Sequence, residues 1–187
     1  MALMLYIMPA WGQQWAKEYD FVNDCICGVS LVKKDGKYGY VDEKGKLVIA
    51  LRFDEASTMH EGYAPVRIGA SWGLIDSTGK MILEPQFSDA MGMSEGLAAF
   101  KKDGKYGFVD RTGTFVIAPA FHNVRSFSEG LAAATNAKGF WGYIDNSGKV
   151  VIPFSYDFAD TFEDGVARVM KGSKVLFINR NNVVVDQ

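Results

Sequence analysis

The sequence predicts an all-β protein: a tandem array of short three-stranded antiparallel meanders, open and elongated, with closure into a propeller-like ring as the alternative. Three observations predict it. An aromatic-glycine step recurs at Tyr38-Gly39, Trp72-Gly73, Tyr106-Gly107 and Trp141-Gly142, at spacings of 34, 34 and 35 residues, and such a period is the mark of a repeat architecture. Each step is followed by an aliphatic residue, then Asp42, Asp76, Asp110 or Asp145, then a glycine three residues on (Gly45, Gly79, Gly113, Gly148). Glycine is frequent, at 20 of 187 residues, and aromatics make up 13%, a composition suited to strands packed by rings and joined by tight turns.

The chain opens with an apolar run at residues 1–9 that is too short to span a bilayer, followed by Ala10 and Gly12 at the small-residue positions of a cleavage site. Residues 1–12 therefore read as a signal-peptide-like segment lacking its basic start. The alternative is an apolar element that caps the first repeat. Residues 13–27 read as an N-terminal cap. They contain Cys25 and Cys27, which in a strand would share a face. Two thiols without further Cys or His make a poor zinc site and too short a span for an unstrained disulfide, so they read as inert packing groups.

Residues 28–187 hold five units, at about 28–60, 61–94, 95–128, 129–162 and 163–187. The third shows the plan. Residues 97–102 form a first strand, and Asp103-Gly104 gives the two-residue hairpin turn. Residues 105–109 form the second strand. Asp110 then opens a turn in which its side chain bonds the amides ahead and Gly113 supplies a positive φ. Residues 114–118 form the third strand, and Pro119, with no N–H to donate, ends it. An irregular bridge carrying Phe53, Phe87, Phe121 or Tyr156 leads onward. Gly172-Ser173 reads as a type II′ version of the hairpin turn. The fourth unit has one extra residue near 137–139, and the fifth is eroded, with Val175-Leu176 for aromatic-Gly and Asn179 and Asn182 for Asp and Gly.

Period two assigns the faces. Ala64, Ala98, Ala132 and Ala167, with Val66, Phe100, Ala134 and Val169 two residues on, mark the core. Each motif glycine lies on the face of the Val or Ile two residues later, where a neighbouring backbone or ring approaches closely. The opposite face carries Tyr40, Leu74, Phe108 or Tyr143, so the second strand is apolar on both faces and central.

These residues resemble the WG-repeat family (WG containing repeat, also KWG), found mainly in bacteria. Its unit reads E-G-hydrophobic-A, a variable turn, G-K-[WY]-G-[FYL]-[IV]-D, a turn ending in Gly, then V-I-P, and residues 95–119 follow it nearly throughout. The resemblance spans about 28–187. Departures are Tyr for Trp at 38 and 106 and the eroded fifth unit. It implies a β-rich interaction module and no catalytic residues. With the signal-like start, it implies export in a bacterium, to the periplasm, cell surface or outside; a cytoplasmic site is the alternative.

A formal charge of −2, with lysines recurring at turns, argues against nucleic acid, which calls for a basic patch. Gly92-Met93-Ser94-Glu95-Gly96 matches G-x-S-x-G, but it simply opens a repeat, no βα alternation surrounds it, and the only downstream His is His122. Asp42, Asp76, Asp110 and Asp145 read as turn formers, because calcium needs six to eight oxygens together. His60 and His122 are not at equivalent positions. No metal or cofactor is implied. The remaining functional candidates are Tyr38, Trp72, Tyr106 and Trp141, which either grip a partner or pack between units. The function expected is a non-catalytic binding or scaffold protein for a protein, peptide or glycan; a hydrolase-type enzyme with an unrecognised site is the alternative.

Overall fold

The computed structural model describes residues 14–186, so the signal-like segment 1–12 lies outside the described residues. Among these, the structure is all-β apart from one 3₁₀ turn, Gln14–Glu18. They form two compact units divided between Gln86 and Phe87. In the first, β1 (Phe21–Val22), β2 (Val29–Lys34), β3 (Lys37–Asp42) and β4 (Leu47–Phe53) make one sheet, and β5 (Glu55–Ala56), β6 (Tyr63–Ile68), β7 (Ser71–Asp76) and β8 (Met81–Phe87) make a second. In the second unit, β9 (Asp89–Ala90), β10 (Ala98–Lys102), β11 (Lys105–Val109) and β12 (Phe115–Phe121) form the third sheet. The fourth holds β13 (Leu131–Thr135), β14 (Trp141–Asp145) and β15 (Val150–Tyr156), and the fifth holds β16 (Phe158–Ala159), β17 (Val166–Lys171) and β18 (Lys174–Asn179). Strands pair with their neighbours in the chain.

Two expectations need correction. The bridge after each third strand is not irregular. Phe53, Phe121 and Tyr156 still belong to the third strand, paired with Tyr38, Tyr106 and Trp141. After one further residue a two-residue strand adds to the next hairpin, as Ala56 opposite Val66, Ala90 opposite Phe100 and Ala159 opposite Val169. Single bridges, Val124 to Ala134 and Ile178 to Val184, take the outer places in the fourth and fifth sheets. The working unit is thus a four-stranded sheet, cut out of phase with the sequence repeat. A two-residue strand is too short to show alternation, which is why it escaped the pattern. Nor does proline end the third strand: β12 runs through Pro119, and β8 and β15 run through Pro85 and Pro153. These strands stand at the ends of their sheets, and β12 and β15 are bulged, where a missing N–H is tolerated.

The bulge explains the motif glycine. Tyr106 pairs with Phe121 and Phe108 with Ile117, so residues 106–108 face residues 117–121. The surplus backbone folds onto Gly107, where a Cβ would lie 2.5 Å from the Ile117 carbonyl oxygen. The same clash, at 2.4–2.6 Å, would occur at Gly39, Gly73 and Gly142.

The hairpin turns follow the local chemistry. Asp35-Gly36 and Asp103-Gly104 have positive φ at both positions, the type I′ geometry whose twist suits a hairpin. At Gly172-Ser173 the glycine alone is positive.

The face assignment holds, with the recurrent Ala and its partner two residues on at most 1% exposed in each of units two to five. Sheets pack face to face. In the first unit, Leu31, Tyr40 and Ile49 meet Ala64, Val66 and Ile75. In the second, Leu97, Ala99 and Phe108 meet Ala132, Ala134 and Ile144, while Leu131, Ala133, Tyr143 and Ile152 meet Ala167, Val169 and Ile178. Burying each large side chain contributes roughly 1.5–3 kcal/mol. Ile49 touches Gly79 and Ile117 touches Gly148; at the start of the chain Trp15 takes that place against Gly45.

Candidate functional site

The four predicted turn aspartates share one geometry. Asp110 Oδ1 accepts from the Thr112 amide (2.8 Å), the Thr112 hydroxyl (2.6 Å) and the Thr114 amide (3.0 Å), while the Gly113 amide donates to the Asp110 carbonyl (3.0 Å). Asp76 and Asp145 repeat it with Thr78 and Ser147. Asp42 repeats the amide contacts with Lys44 and Lys46. Bonding to the Thr78, Thr112 and Ser147 hydroxyls holds the Asp76, Asp110 and Asp145 carboxyls below the usual carboxylate range. Asn179 performs the same task in the eroded unit, with Asn182 at φ 61°. Asn136 performs it in the lengthened hairpin of the fourth sheet. Among the described residues no cluster of three or more His, Cys, Asp or Glu is placed to hold a metal ion.

A second set of polar groups links successive sheets. The acidic-Gly pairs that open the units are themselves tight turns, with positive φ at both residues. Glu95 accepts from the Gly130 amide at 2.9 Å, and Glu129 from the Gly165 amide at 3.1 Å. Ser94 and Ser128 each donate a hydroxyl, at 2.7 Å, to the carbonyls of Phe127 and Phe162. Ser94 of the G-x-S-x-G string is therefore a link between sheets. Tyr40 and Tyr143 donate to the carbonyls of Ser57 and Asp160, and burial pushes both phenols above their ordinary range. These links were missed in the sequence, although the 34-residue recurrence of Ser-Glu-Gly at 94 and 128 signalled them. In the first repeat Cys27 occupies the acidic position, at φ 54°; it lies in a turn and not in a strand, and both thiols are free. His60 and His122 are both exposed and fall in different sheets' connections.

The four candidate aromatics are distributed one to each of the first four sheets. Tyr38, Trp72 and Trp141 are half-buried, whereas Tyr106 is 4% exposed and donates its hydroxyl to Asp89. A cation covers several of these rings. Lys33 lies 5.0 Å over Tyr38, Lys101 5.0 Å over Tyr106, and Arg125 5.5 Å over Trp141, while Arg67 stands directly across from Trp72. Such contacts are worth about 0.5–1 kcal/mol at exposed sites. The richest cluster lies in the second unit, where Arg125 and Arg168 both lie over the Phe158 ring and both reach Asp160. The first, third and fourth sheets thus place a cation over the aromatic ring beside the hairpin, an arrangement suited to polar and apolar contacts, although the ring of the third is buried.

The model of the WG containing repeat matches residues 38–70, 72–106, 106–137 and 141–174. The chain belongs to the WG containing repeat family. The matches meet at the aromatic-glycine steps, so the WG repeat is framed on the strand that the bulge presses. No curated protein matches the sequence. Among solved structures, Hsv2p of Kluyveromyces lactis aligns with a TM-score of 0.56 at 10% identity, over 85% of this chain and 59% of its own. The computationally designed Ika8 protein aligns at 0.54 and 13% identity, over 83% and 57%. The WD40 beta propeller domain of Doa1 aligns at 0.49 and 11% identity, over 89% and 68%. The chain spans under three-fifths of the length of the first two, and the likeness is one of fold. No helix among the described residues is long and apolar enough to cross a membrane.

Proposed function

We propose that this WG-repeat protein is a non-catalytic binding module that recognises a protein, peptide or glycan through several similar contacts along its repeats. One observation carries the reading. Most of the recurrent polar side chains are occupied in turns or in links between sheets, whereas ring-and-cation pairs recur beside the hairpins of the first, third and fourth sheets. Equivalent weak contacts on one body add through effective concentration. The reading includes an open, elongated array in place of a closed ring, for which small-angle scattering is the test, and export by a bacterium, for which the mature N-terminus by mass spectrometry is the test. Function is tested with a copurified partner. Truncation after residue 162, and then after residue 128, should lower affinity stepwise. Loss of an activity on Ser94→Ala or His122→Ala, with full activity in the 162 truncation, would instead favour a single-site enzyme.

A further inference from the structure

The outer face of the fifth sheet carries an inference that is separate from the distributed surface. Inside the second unit, each sheet holds the next through three groups at equivalent positions. A ring, Phe108 or Tyr143, meets Phe127 or Phe162 at 4.8 Å. A serine hydroxyl donates to that phenylalanine's carbonyl, and a glutamate accepts from a glycine amide. The strand registers put Phe177, Glu163 and Asp164 at these three positions in the fifth sheet. Phe177 is half-buried with no ring partner among the described residues, and Val175 beside it is 49% exposed.

Two substitutions remake this face. Arg168 stands where Ala99 and Ala133 let the following sheet close on their own. Its side chain extends over Phe158 to Asp160 and is 47% exposed, a bulk that holds another sheet off. Beside it lies a cleft of about 590 Å³ lined by Asp160, Thr161, Glu163, Asp164, Val166, Arg168 and Phe177. Glu163 replaces the serine, exchanging a hydroxyl donor for a second acceptor. Asp160 is already paired with Arg125 and Arg168, whereas the Glu163 and Asp164 carboxylates have no partner among the described residues.

We propose that this cleft binds an extended basic peptide segment of a partner protein, with its Lys or Arg side chains on Glu163 and Asp164 and an aliphatic side chain on the Phe177 ring. Charge complementarity selects the occupant: Asp160 is neutralised by Arg125 and Arg168, and the unpaired Glu163 and Asp164 carboxylates accept charge-assisted hydrogen bonds from a cation or backbone N–H. The Arg168 bulk disfavours a sheet from a second copy.

The test is fluorescence anisotropy at low salt on the full chain, with a fluorescein-labelled Lys-Val-Lys-Leu-Lys peptide and its Glu-Val-Glu-Leu-Glu counterpart. The basic peptide saturates and the acidic one does not. Combining Glu163→Gln with Asp164→Asn weakens binding about tenfold, from loss of charge-assisted bonds. Asn tolerates the positive φ at 164, and an unchanged circular dichroism melt certifies the fold. Arg168→Ala, which removes the competing cation, tightens binding. No binding, equal binding of the two peptides, or indifference to the double variant would overturn the proposal. So would a concentration-dependent dimer in sedimentation that the double variant abolishes, which would give the face to a second copy.

Discussion

The fourth and fifth sheets are built on one plan, and four of their differences bear on how each is packed. Gly142 of the fourth becomes Leu176, Ala133 becomes Arg168, Ser128 becomes Glu163 and Asp145 becomes Asn179. The fourth sheet has a full bulged third strand, and a Cβ at Gly142 would lie 2.6 Å from the Ile152 carbonyl oxygen. In the fifth, the place of that strand is taken by one bridge, Ile178 to Val184, and Leu176 packs against the core instead. The difference teaches that the motif is enforced by what presses on each residue. Among the described residues the fifth sheet lacks the full bulged strand, and there the motif residues are replaced.

The largest expected effect comes from exchanging residues across this comparison. Ala133 is fully buried against the fifth sheet, so Ala133→Arg should cost about 4 kcal/mol or more through overpacking and a buried charge. The reverse change, Arg168→Ala, should cost only about 1 kcal/mol, the worth of its exposed contacts with Phe158 and Asp160. Denaturant melts of the two variants decide it, and equal losses would break the comparison. Next, Gly142→Leu should cost roughly 3 kcal/mol, because a carbonyl oxygen and not a flexible side chain occupies the space. Leu176→Gly should cost about 2 kcal/mol for lost apolar burial and strand entropy.

Much of this was legible in the sequence. The period, the type I′ turns at Asp35-Gly36 and Asp103-Gly104, the turn aspartates and the buried face at Ala98 and Phe100 all rest on local chemistry that recurs. The short leading strands were not legible, since two residues carry no period. The sheet-to-sheet links of Glu95 and Ser94 were seen as a motif without a reason, because their partners lie about 34 residues away. Strand ends at Pro119 were misplaced because an outer bulged strand spares the amide that proline lacks. Of the aromatic series, sequence alone could not separate buried Tyr106 from half-buried Trp72 and Trp141; that depends on Asp89 and on the cations beside each ring.

Smaller effects sharpen the turn comparison. Asp110→Ala should cost about 1 kcal/mol through lost amide bonds, and Asp110→Asn less, since Asn136 and Asn179 make the same contacts. The carboxyls of Asp76, Asp110 and Asp145 titrate below their unfolded values. Their contribution is present above the unfolded value and lost as pH falls through the folded one, below about pH 4. Hydrogen exchange in that window should show the Thr112 and Thr114 amides losing protection while Asn181 and Val183, held by the non-titrating Asn179, keep theirs.

The central claim is recognition distributed over equivalent patches. Its most direct test is the affinity of a copurified partner for the full chain and for Trp72→Ala, Trp141→Ala and Ser94→Ala, each first shown to be folded. Distributed binding predicts that each tryptophan variant weakens binding several-fold, that the pair weakens it by about the product, and that Ser94→Ala binds like the parent. Complete loss of binding or of an activity in Ser94→Ala, with both tryptophan variants unaffected, would contradict it.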